Sequence, residues 1–360
     1  MSAALEERYP QTRASVVDSY RYASHVFHRV ASNGYIGMVK MLPTLYAYLY
    51  DQAERATRIS AIKTWLHHYT AMNLRHVIPK LAPDVVVCTH AFPCGVMAEY
   101  KRMDESAPPV VGVVTDFVVH PFWIHRNIDA YAVATPAMRQ ALVSRGIAPD
   151  KIEVTGIPID ARFGLPASKR ALRRSLGIAP EKMTILVMGG GLGIGPLENA
   201  IVAIDRLSAD LQIVVIVGKN VALGRRLRAV AAQLLHPARV VGFVPNVFDY
   251  MRASDVLVSK PGGLTSSEAL AAELPLVMLR PLPGQEERNT RYLEDRGVGI
   301  RVRSSKELSN ALGRLLEDRS KLERMRALAC ELSQPTAADA VADIIESLAR
   351  RAGAKVRAAE

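Results

Sequence analysis

The stretch 260–289 carries glycine, acidic and amide residues at spacings that suit a phosphorylated ligand. The Pro261–Gly263 turn follows an apolar segment, Val256–Ser259, that is typical of a strand. Because glycine lacks a side chain, backbone N–H groups of such a turn can approach an anion closely. We expect Thr265 or Ser266 to cap a following helix, Thr265–Glu273. The positive end of that helix favours a diphosphate.

Polar residues beyond this turn extend the predicted site. Glu268, one turn into the helix, can accept hydrogen bonds from a ribose diol. Gln285 and Glu286, in a predicted polar loop that ends at Asn289, suit the hydroxyls of a sugar. Diphosphate, ribose and hexose together describe a nucleotide-sugar. The alternative is an ordinary strand–turn–helix connection, which the glycines alone would not exclude.

A second glycine-rich loop, Gly189–Pro196, follows the predicted strand Thr184–Met188 and opens a helix. With the later turn in the same sheet, it points to one nucleotide bound by both loops. Lys219 ends the next strand, where it could reach a phosphate or simply be exposed to solvent. At the following strand end, the Val244 backbone could bond a pyrimidine base beside Phe243, or the segment is a plain strand end.

In the first half, polar and aromatic residues follow the apolar run Val110–Val114. Asp116, His120, Trp123 and His125 lie on one predicted loop and are candidates for acceptor binding and proton transfer. Any one of these histidines could instead be structural. Zinc is disfavoured, because the loop lacks a helical His–x3–His spacing.

Short Val- and Ile-rich runs alternate with helical patterns from Asp84 onward, which is typical of parallel sheets covered on both faces. The predicted architecture is α/β, with two doubly wound, Rossmann-like domains that face one another across a cleft. The pattern breaks near Ile157–Ser168. We therefore predict domains 1–160 and 161–335, followed by a C-terminal helix, 336–360. The predicted strands are Asp84–Cys88, Val110–Val114, Ala130–Ala134, Ile152–Thr155, Thr184–Met188, Gln212–Val217, Arg239–Gly242, Asp255–Ser259 and Leu276–Leu279, and the C-terminal helices Ser305–Leu315, Ser320–Leu332 and Ala337–Arg350.

The region 22–81 does not fit the alternation. We predict an early strand, Ala14–Tyr20, followed by a helical insertion in which aromatic residues stand beside basic ones. Such a mixture suits an acceptor-binding or membrane-facing subdomain, and buried helical packing explains the same aromatics. The residues concerned are Tyr35, Tyr46, Tyr48, Tyr50, Trp65 and Tyr69 with Lys40, Arg55, Arg58, Lys63 and Arg75.

Composition limits the class of protein. The 360 residues include 49% hydrophobic and 22% charged residues, as in a soluble globular protein. A net charge of +11 favours an anionic partner, whereas no nucleic-acid-binding motif appears. The first ten residues do not resemble a signal peptide, and no apolar run is long enough to span a membrane. The three cysteines lack metal-ligand spacing, so we expect packing thiols and a cytoplasmic location.

Six segments together carry a family pattern that spans nearly the whole chain: Val114–Asp129, Val154–Pro158, Met188–Gly191, Gly218–Asn220, Lys260–Thr265 and Pro283–Glu286. In these segments the chain resembles the family of monogalactosyldiacylglycerol synthases and processive diacylglycerol glucosyltransferases, which have two Rossmann-like domains (the GT-B type). The transferase that adds N-acetylglucosamine to a polyprenyl-linked precursor shares the second-domain pattern, whereas the Asp–His–Trp–His loop looks more like the diacylglycerol enzymes.

The resemblance implies an inverting hexosyltransferase that uses a UDP-sugar, with no further cofactor and no metal. A helix N-terminus would stabilise the leaving UDP. The acceptor would be diacylglycerol or a similar lipid, at the inner face of an anionic membrane. Phe243 and Val244 would lie at uracil, Glu268 at the ribose, Gly190, Gly191 and Gly263 at the diphosphate, and Gln285 and Glu286 at the hexose, with Lys219, Gly262, Thr265 and Asn289 in the same site.

The beginning of the chain departs from the family pattern. Met1–Tyr9 resembles the helix that follows the family's opening strand and glycine-rich loop. We therefore expect a first domain truncated at its N-terminus, from a start codon placed too far downstream or in an inactive paralogue. His120 or His125, oriented by Asp116, would then supply the base. The alternatives are a different acceptor, such as a polyprenyl-linked saccharide, a UDP-sugar 2-epimerase, and a sugar-nucleotide sensor without activity.

Overall fold

The computed structural model of the chain describes residues 1–22, 57–191, 193 and 195–359, with the side chains of 20, 57–64 and 354–359 outside that description. The described chain divides into two compact units. The first comprises Met1–Pro158, Leu282–Gln285 and Thr336–Glu360, and the second Ile159–Pro281 and Glu286–Pro335. Most of the predicted insertion 22–81, including the tyrosines at 35–50, lies outside the described residues.

The described part of the first unit contains a parallel sheet with the strand order β1-β2-β3-β4. Its strands are β1 (Val86–Cys88), β2 (Val110–Val113), β3 (Ala130–Val133) and β4 (Ile152–Val154). Its helices are α1 (Ser2–Arg8), α2 (Thr57–Leu74), α3 (Ile78–Leu81), α4 (Ala91–Met103) and α5 (Pro136–Val143), with 3-10 turns at Ser19–Arg21, Pro121–Trp123 and Pro149–Lys151.

The second unit contains a parallel sheet with the order β10-β9-β8-β5-β6-β7. Its strands are β5 (Met183–Met188), β6 (Leu211–Ile216), β7 (Ala238–Val241), β8 (Val256–Ser259), β9 (Leu276–Leu279) and β10 (Gly299–Val302). Its helices are α6 (Lys169–Ser175), α7 (Leu197–Asp205), α8 (Val221–Ala231), α9 (Val247–Ala253), α10 (Gly263–Ala271), α11 (Gln285–Asp295), α12 (Ser305–Glu317) and α13 (Arg319–Leu332), with a 3-10 turn at Ala161–Gly164. The first residue of α11, Gln285, groups with the first unit.

The last helix, α14 (Ala337–Ala359), belongs to the first unit. Its residues Val341 and Ile345 pack with Leu5 of α1 against the sheet residues Val111 and Val113. At the surface, polar groups also join α1 to α14: both Arg8 and the Tyr9 hydroxyl donate to the Asp343 carboxylate. The two ends of the chain therefore cover one face of the first sheet.

A buried ion cluster joins the sheet of the second unit to its helices. Asp255, directly before β8, accepts a hydrogen bond from the backbone N–H of Thr184 in β5 at 2.8 Å. The same carboxylate contacts Lys169 and Arg173 at the start of the unit and Arg326 in α13. Each charge has a partner, as a buried charge requires. The cluster fixes β5 and β8 side by side.

The prediction of two α/β domains with parallel sheets is confirmed. Two predictions of secondary structure are wrong, and one strand was not predicted. Ala14–Tyr20 is not a strand: Val16 is 92% exposed and only a 3-10 turn forms, at Ser19–Arg21. The predicted polar loop after Pro283 is a helix, α11, and β10 was not predicted.

Candidate functional site

The predicted donor residues lie at the carboxyl edge of the second sheet, where its strand order reverses. From β5 the chain proceeds outward to β6 and β7, whereas β8, β9 and β10 follow on the other side. The reversal therefore falls between β5 and β8, and the Ser259 hydroxyl donates to the Met188 carbonyl across it. Ligands of open α/β sheets bind in the crevice at such a point. The two predicted glycine segments begin on either side of it.

The glycine loop after β5 rests on the end of β6. A side chain at Gly193, whose φ is +60°, would meet the Val217 carbonyl oxygen at 2.4 Å, so this close approach requires glycine. The backbone N–H of Lys219 donates to the Gly191 carbonyl at 3.1 Å. Around Gly190 and Gly191, in contrast, a Cβ would have no heavy atom within 4 Å. The contacts with Val217 and Lys219 thus fix one side of the loop, whereas the side at Gly190 and Gly191 is open.

Lys219 and Phe243 come together at the ends of β6 and β7. The Lys219 ammonium lies 5.5 Å from the centre of the Phe243 ring, a cation–π distance. Phe243 is 63% exposed and Val244 is half-buried. An exposed aromatic ring beside a cation can stack on a base and attract a phosphate.

The Pro261–Gly263 turn leads directly into α10, whose N-cap is Gly262. The predicted cap at Thr265 or Ser266 is wrong, since both residues lie inside the first turn of the helix. Gly262 has open space where a Cβ would be, and Gly263 is buried as the first helical residue. Because the N-cap residue has no side chain, the backbone N–H groups of the first turn are left uncovered by a cap, an arrangement that suits an anion.

Glu268 lies on α10 one turn beyond Thr265, and it is half-buried. Burial, together with the charge of Asp160, raises the pKa of its carboxyl to about 7. Among the described residues, no hydrogen-bond partner contacts its carboxyl. A carboxyl in this environment gains from a ligand that donates hydrogen bonds to it, as a ribose diol does.

Helix α11 begins with Gln285 and Glu286 and is joined to the α10 turn. The Lys260 ammonium lies 3.6 Å from Glu286 Oε1. Asn289 is buried, and its amide donates to the Pro261 carbonyl at 3.1 Å. Asn289 thus supports the turn from within the protein, and its predicted contact with a ligand stays a prediction.

The segment Leu282–Gln285 groups with the first unit, where Gln285 Nε2 donates to Asp116 Oδ2 at 2.6 Å. Asp116 is half-buried, two residues after the buried Val114. The contact brings together a residue predicted to bind the hexose and a residue predicted to take part in catalysis.

The other loop residues divide into structural and accessible positions. His120 is 3% exposed, and its Nδ1 accepts the Phe122 N–H, which caps the turn Pro121–Trp123. Trp123 is also buried, so it packs in the protein and offers no exposed ring, contrary to the prediction of a substrate contact. His125 is half-buried, with Nε2 3.1 Å from the Phe122 carbonyl oxygen.

Two residues of the site were not predicted from the sequence: Tyr131, and Lys260 as the ion-pair partner of Glu286. The buried Tyr131 hydroxyl donates to the Trp123 carbonyl at 2.7 Å and accepts the His125 N–H. Burial is the main cause that raises the pKa of this hydroxyl, so it stays neutral and shapes the loop. A tyrosine inside an otherwise apolar strand was a usable sign, because a buried hydroxyl needs partners.

Comparison with known proteins identifies two family models in the chain. The monogalactosyldiacylglycerol synthase model matches residues 1–159, and the glycosyltransferase family 28 C-terminal domain matches residues 184–347. The processive diacylglycerol beta-glucosyltransferase of Bacillus licheniformis is 33% identical over 276 residues, covering 76% of this chain and 71% of that protein. This chain belongs to the diacylglycerol glycosyltransferase family. The predicted family is thereby confirmed.

Other members of the family show the same extent of similarity. The enzymes of the same name from Bacillus subtilis and Bacillus cytotoxicus are 34% and 31% identical over 70% and 79% of this chain. The chain spans 66% and 73% of the length of these two proteins.

Solved structures agree on the fold. Acinetobacter baumannii MurG has a TM-score of 0.57 at 20% identity, covering 79% of each chain. The UDP-GlcNAc 2-epimerase of Neisseria meningitidis has a TM-score of 0.59 at 16% identity, covering 78% of this chain and 82% of that one. Transferase and epimerase share this fold, so the fold alone does not choose between the two reactions.

Proposed function

We propose that this protein transfers a hexose from a UDP-sugar to a diacylglycerol-type lipid, with inversion at the anomeric carbon. The observation that carries the proposal is the identity of 31–34% to processive diacylglycerol beta-glucosyltransferases over 70–79% of the chain. In the reaction the lipid hydroxyl oxygen attacks the anomeric carbon, the bond from that carbon to the diphosphate breaks, and the hydroxyl proton passes to a base.

The donor site proposed here is the crevice between β5 and β8. Gly190, Gly191, Gly262 and Gly263 approach the diphosphate with backbone N–H groups, and Thr265 supports them from the first turn of α10. Phe243 and Val244 lie at the base, with Lys219 beside them. Glu268 receives the ribose hydroxyls, and Gln285 and Glu286 receive the hexose.

Departure of UDP leaves negative charge on the β-phosphate. The N-terminus of α10, with Gly262 as its cap, offers backbone dipoles and N–H groups for this charge. In the proposal the helix end provides this stabilisation and no further cofactor or metal takes part. Within the described part of the chain, no group of three or more His, Cys, Asp and Glu side chains is arranged to hold a metal ion.

Asp116 and His125 are the proposed proton acceptors. Both are half-buried on the loop after β2, and the amide of Gln285 holds one carboxylate oxygen of Asp116. General bases of either type contribute about 10²–10⁴-fold to such reactions. His120 shapes the loop through its cap and is the third candidate.

Helix α2 has an exposed aromatic face, formed by Trp65, Tyr69 and Met72, that supports a role at a lipid surface. His67, Thr70, Ala71 and Leu74 are buried on one face, where the His67 ring lies against Gly95 of α4. Since helix residues are about 100° apart, Trp65, Tyr69 and Met72 fall on the opposite face.

These three side chains are exposed, Trp65 by 61%, and the rings of Trp65 and Tyr69 stack with their centres 5.7 Å apart. Residues 57–81 include four Lys or Arg and no Asp or Glu. A face that combines aromatics with neighbouring cations suits an anionic membrane interface. None of the helices, as far as they are described, could cross a membrane.

We therefore place the protein at the inner face of the membrane as a peripheral enzyme. The described cysteines Cys88, Cys94 and Cys330 are free thiols, which suits a reducing compartment. The proposal includes no nucleic-acid partner.

The test is a transfer assay with lipid vesicles that contain diacylglycerol and phosphatidylglycerol and with UDP-glucose or UDP-galactose labelled in the sugar. The proposal predicts label in the lipid extract in proportion to UDP released. Interconversion of UDP-GlcNAc and UDP-ManNAc without lipid would favour the epimerase instead. Release of UDP and free sugar without labelled lipid would be hydrolysis of the donor and would contradict the proposal. Binding without turnover would favour the sensor.

A further inference from the structure

Lys260 occupies the position directly after β8, at the point where the strand order of the second sheet reverses. It stands between the β8 end and the glycine turn that leads into α10. Its side chain is 20% exposed and is therefore largely covered by the protein.

The ammonium of Lys260 faces a carboxylate on another element. Glu286 Oε1 lies 3.6 Å away, in the first turn of α11, and the Glu286 side chain is 23% exposed. One residue further along the turn, the Pro261 carbonyl accepts the buried Asn289 amide. Adjacent residues of the turn, Lys260 and Pro261, thus hold adjacent turns of α11.

The two contacts differ in what they can do. The Asn289 bond is buried and fixes backbone to helix. The Lys260 contact acts on the carboxylate of Glu286, and a defined carboxylate orientation is what recognition of ring hydroxyls requires. An ion pair between two largely covered side chains adds little net stability, because their lost hydration offsets the attraction, so stability gives no reason of its own for the contact.

We propose that Lys260 is a positioning residue that orients the Glu286 carboxylate for the hexose of the donor. The inference rests on the proposed function and adds to it a determinant of sugar binding outside the predicted contact residues. Lys260 acts through Glu286 and contributes little to binding of the UDP portion. Its effect therefore depends on the presence of the hexose.

The test compares the full chain with Lys260→Gln, Lys260→Arg, Glu286→Gln and the double variant Lys260→Gln/Glu286→Gln. Calorimetry measures the Kd for UDP, UDP-glucose and UDP-galactose, and melting curves monitor the fold. Lys182→Gln is the matched control, since Lys182 forms an ion pair with Asp210 elsewhere in the same unit.

We expect Lys260→Gln to weaken binding of the better UDP-hexose by about tenfold and to change the Kd for UDP by less than about twofold. Glu286→Gln should show the same split. The double variant should bind the UDP-hexose no more weakly than the single variant with the larger loss, because both changes remove the same Lys260–Glu286 contact. Lys260→Arg should recover most of the affinity.

Equal losses for UDP and UDP-hexose would overturn the inference, as would fully additive losses in the double variant or no loss at all. If the unchanged protein binds neither UDP nor a UDP-hexose, the proposed function itself fails. That result is distinct from a protein that binds both normally while Lys260→Gln has no effect.

Discussion

Gln285 Nε2 donates to Asp116 Oδ2 at 2.6 Å, which joins the start of α11 to the loop after β2 within the first unit. The contact uses an amide that was predicted to bind the donor sugar and a carboxylate that was predicted to serve the acceptor. An ionised carboxylate accepts such a bond well, so the contact keeps Asp116 in a defined orientation.

Changing Gln285 should therefore affect catalysis as well as sugar binding. Gln285→Glu would place two carboxyls in contact, so that one of them holds a proton near neutral pH. We expect kcat to fall by about 10-fold or more and the acidic limb of the pH–rate profile to move to higher pH. Gln233→Glu, at an exposed position of the second unit, is the control. An unchanged pH profile in Gln285→Glu would contradict a role for Asp116.

Glu268 should make stability depend on pH in a predictable direction. The pKa of its carboxyl is about 7 in the folded protein, above the ordinary value for an unfolded chain, so folding favours the neutral form. The stabilisation from this group is complete at low pH and is lost as the pH rises through 7.

Glu268→Gln removes this loss. The free energy of unfolding of the variant, relative to that of the unchanged protein, should increase by on the order of 1 kcal/mol from pH 5.5 to pH 8.5. This figure is discounted because the side chain is partly exposed. Chemical denaturation at both pH values measures it, with the exposed Glu317→Gln as control. A constant difference at the two pH values would disprove the environment assigned to Glu268.

Two glycines of the β5–α7 loop should respond in opposite ways to the same substitution. Gly193→Ala would bring a Cβ to 2.4 Å from the Val217 carbonyl oxygen at a φ of +60°, and we expect a stability loss of about 1–3 kcal/mol. Gly191→Ala meets no atom within 4 Å, so the melting temperature should hardly change.

The added methyl group of Gly191→Ala should instead occupy ligand space and weaken UDP binding by about tenfold. Melting curves and calorimetry on both variants separate the two effects. Normal UDP affinity in a stable Gly191→Ala protein would mean that the loop does not contact the diphosphate.

The aromatic face of α2 should carry binding to anionic vesicles. Trp65→Ala/Tyr69→Ala should reduce cosedimentation with phosphatidylglycerol vesicles by about fivefold or more, since it removes most of the exposed ring surface. Salt should weaken binding of the unchanged protein through screening of its cations. Leu235→Ala alters an exposed apolar residue of the second unit and is expected to have no effect. Undiminished binding of the double variant would exclude this face.

The central strands could be predicted because parallel strands buried on both faces are nearly uninterrupted runs of Val, Ile and Leu, as in β5 and β8. β10 escaped prediction because Arg301 lies within it, where Glu287 and Glu294 of α11 neutralise the guanidinium. Helix α11 was not predicted for the same reason. Its sequence is mostly polar, and Pro283 and Gly284 directly before it are typical of a loop.

The glycine turns and Glu268 could be placed at the sheet edge from residue types and the preceding apolar runs, whereas their roles toward a ligand stay predictions. The positions of Asn289, Trp123 and His120 could not, because burial depends on contacts between segments distant in sequence. The Lys260–Glu286 and Gln285–Asp116 pairs belong to the same class: each joins residues that only the folded chain brings together.

The central claim is that two turn-to-helix junctions beside β5 and β8 bind the diphosphate of a uridine nucleotide. Isothermal calorimetry of the full chain with UDP, and with ADP as a control, tests it most directly. We expect saturable binding of UDP at one site per chain, at least about tenfold tighter than binding of ADP and weakened in Gly191→Ala. Absence of UDP binding by the folded protein, or equal binding by the Gly191→Ala variant, would contradict it.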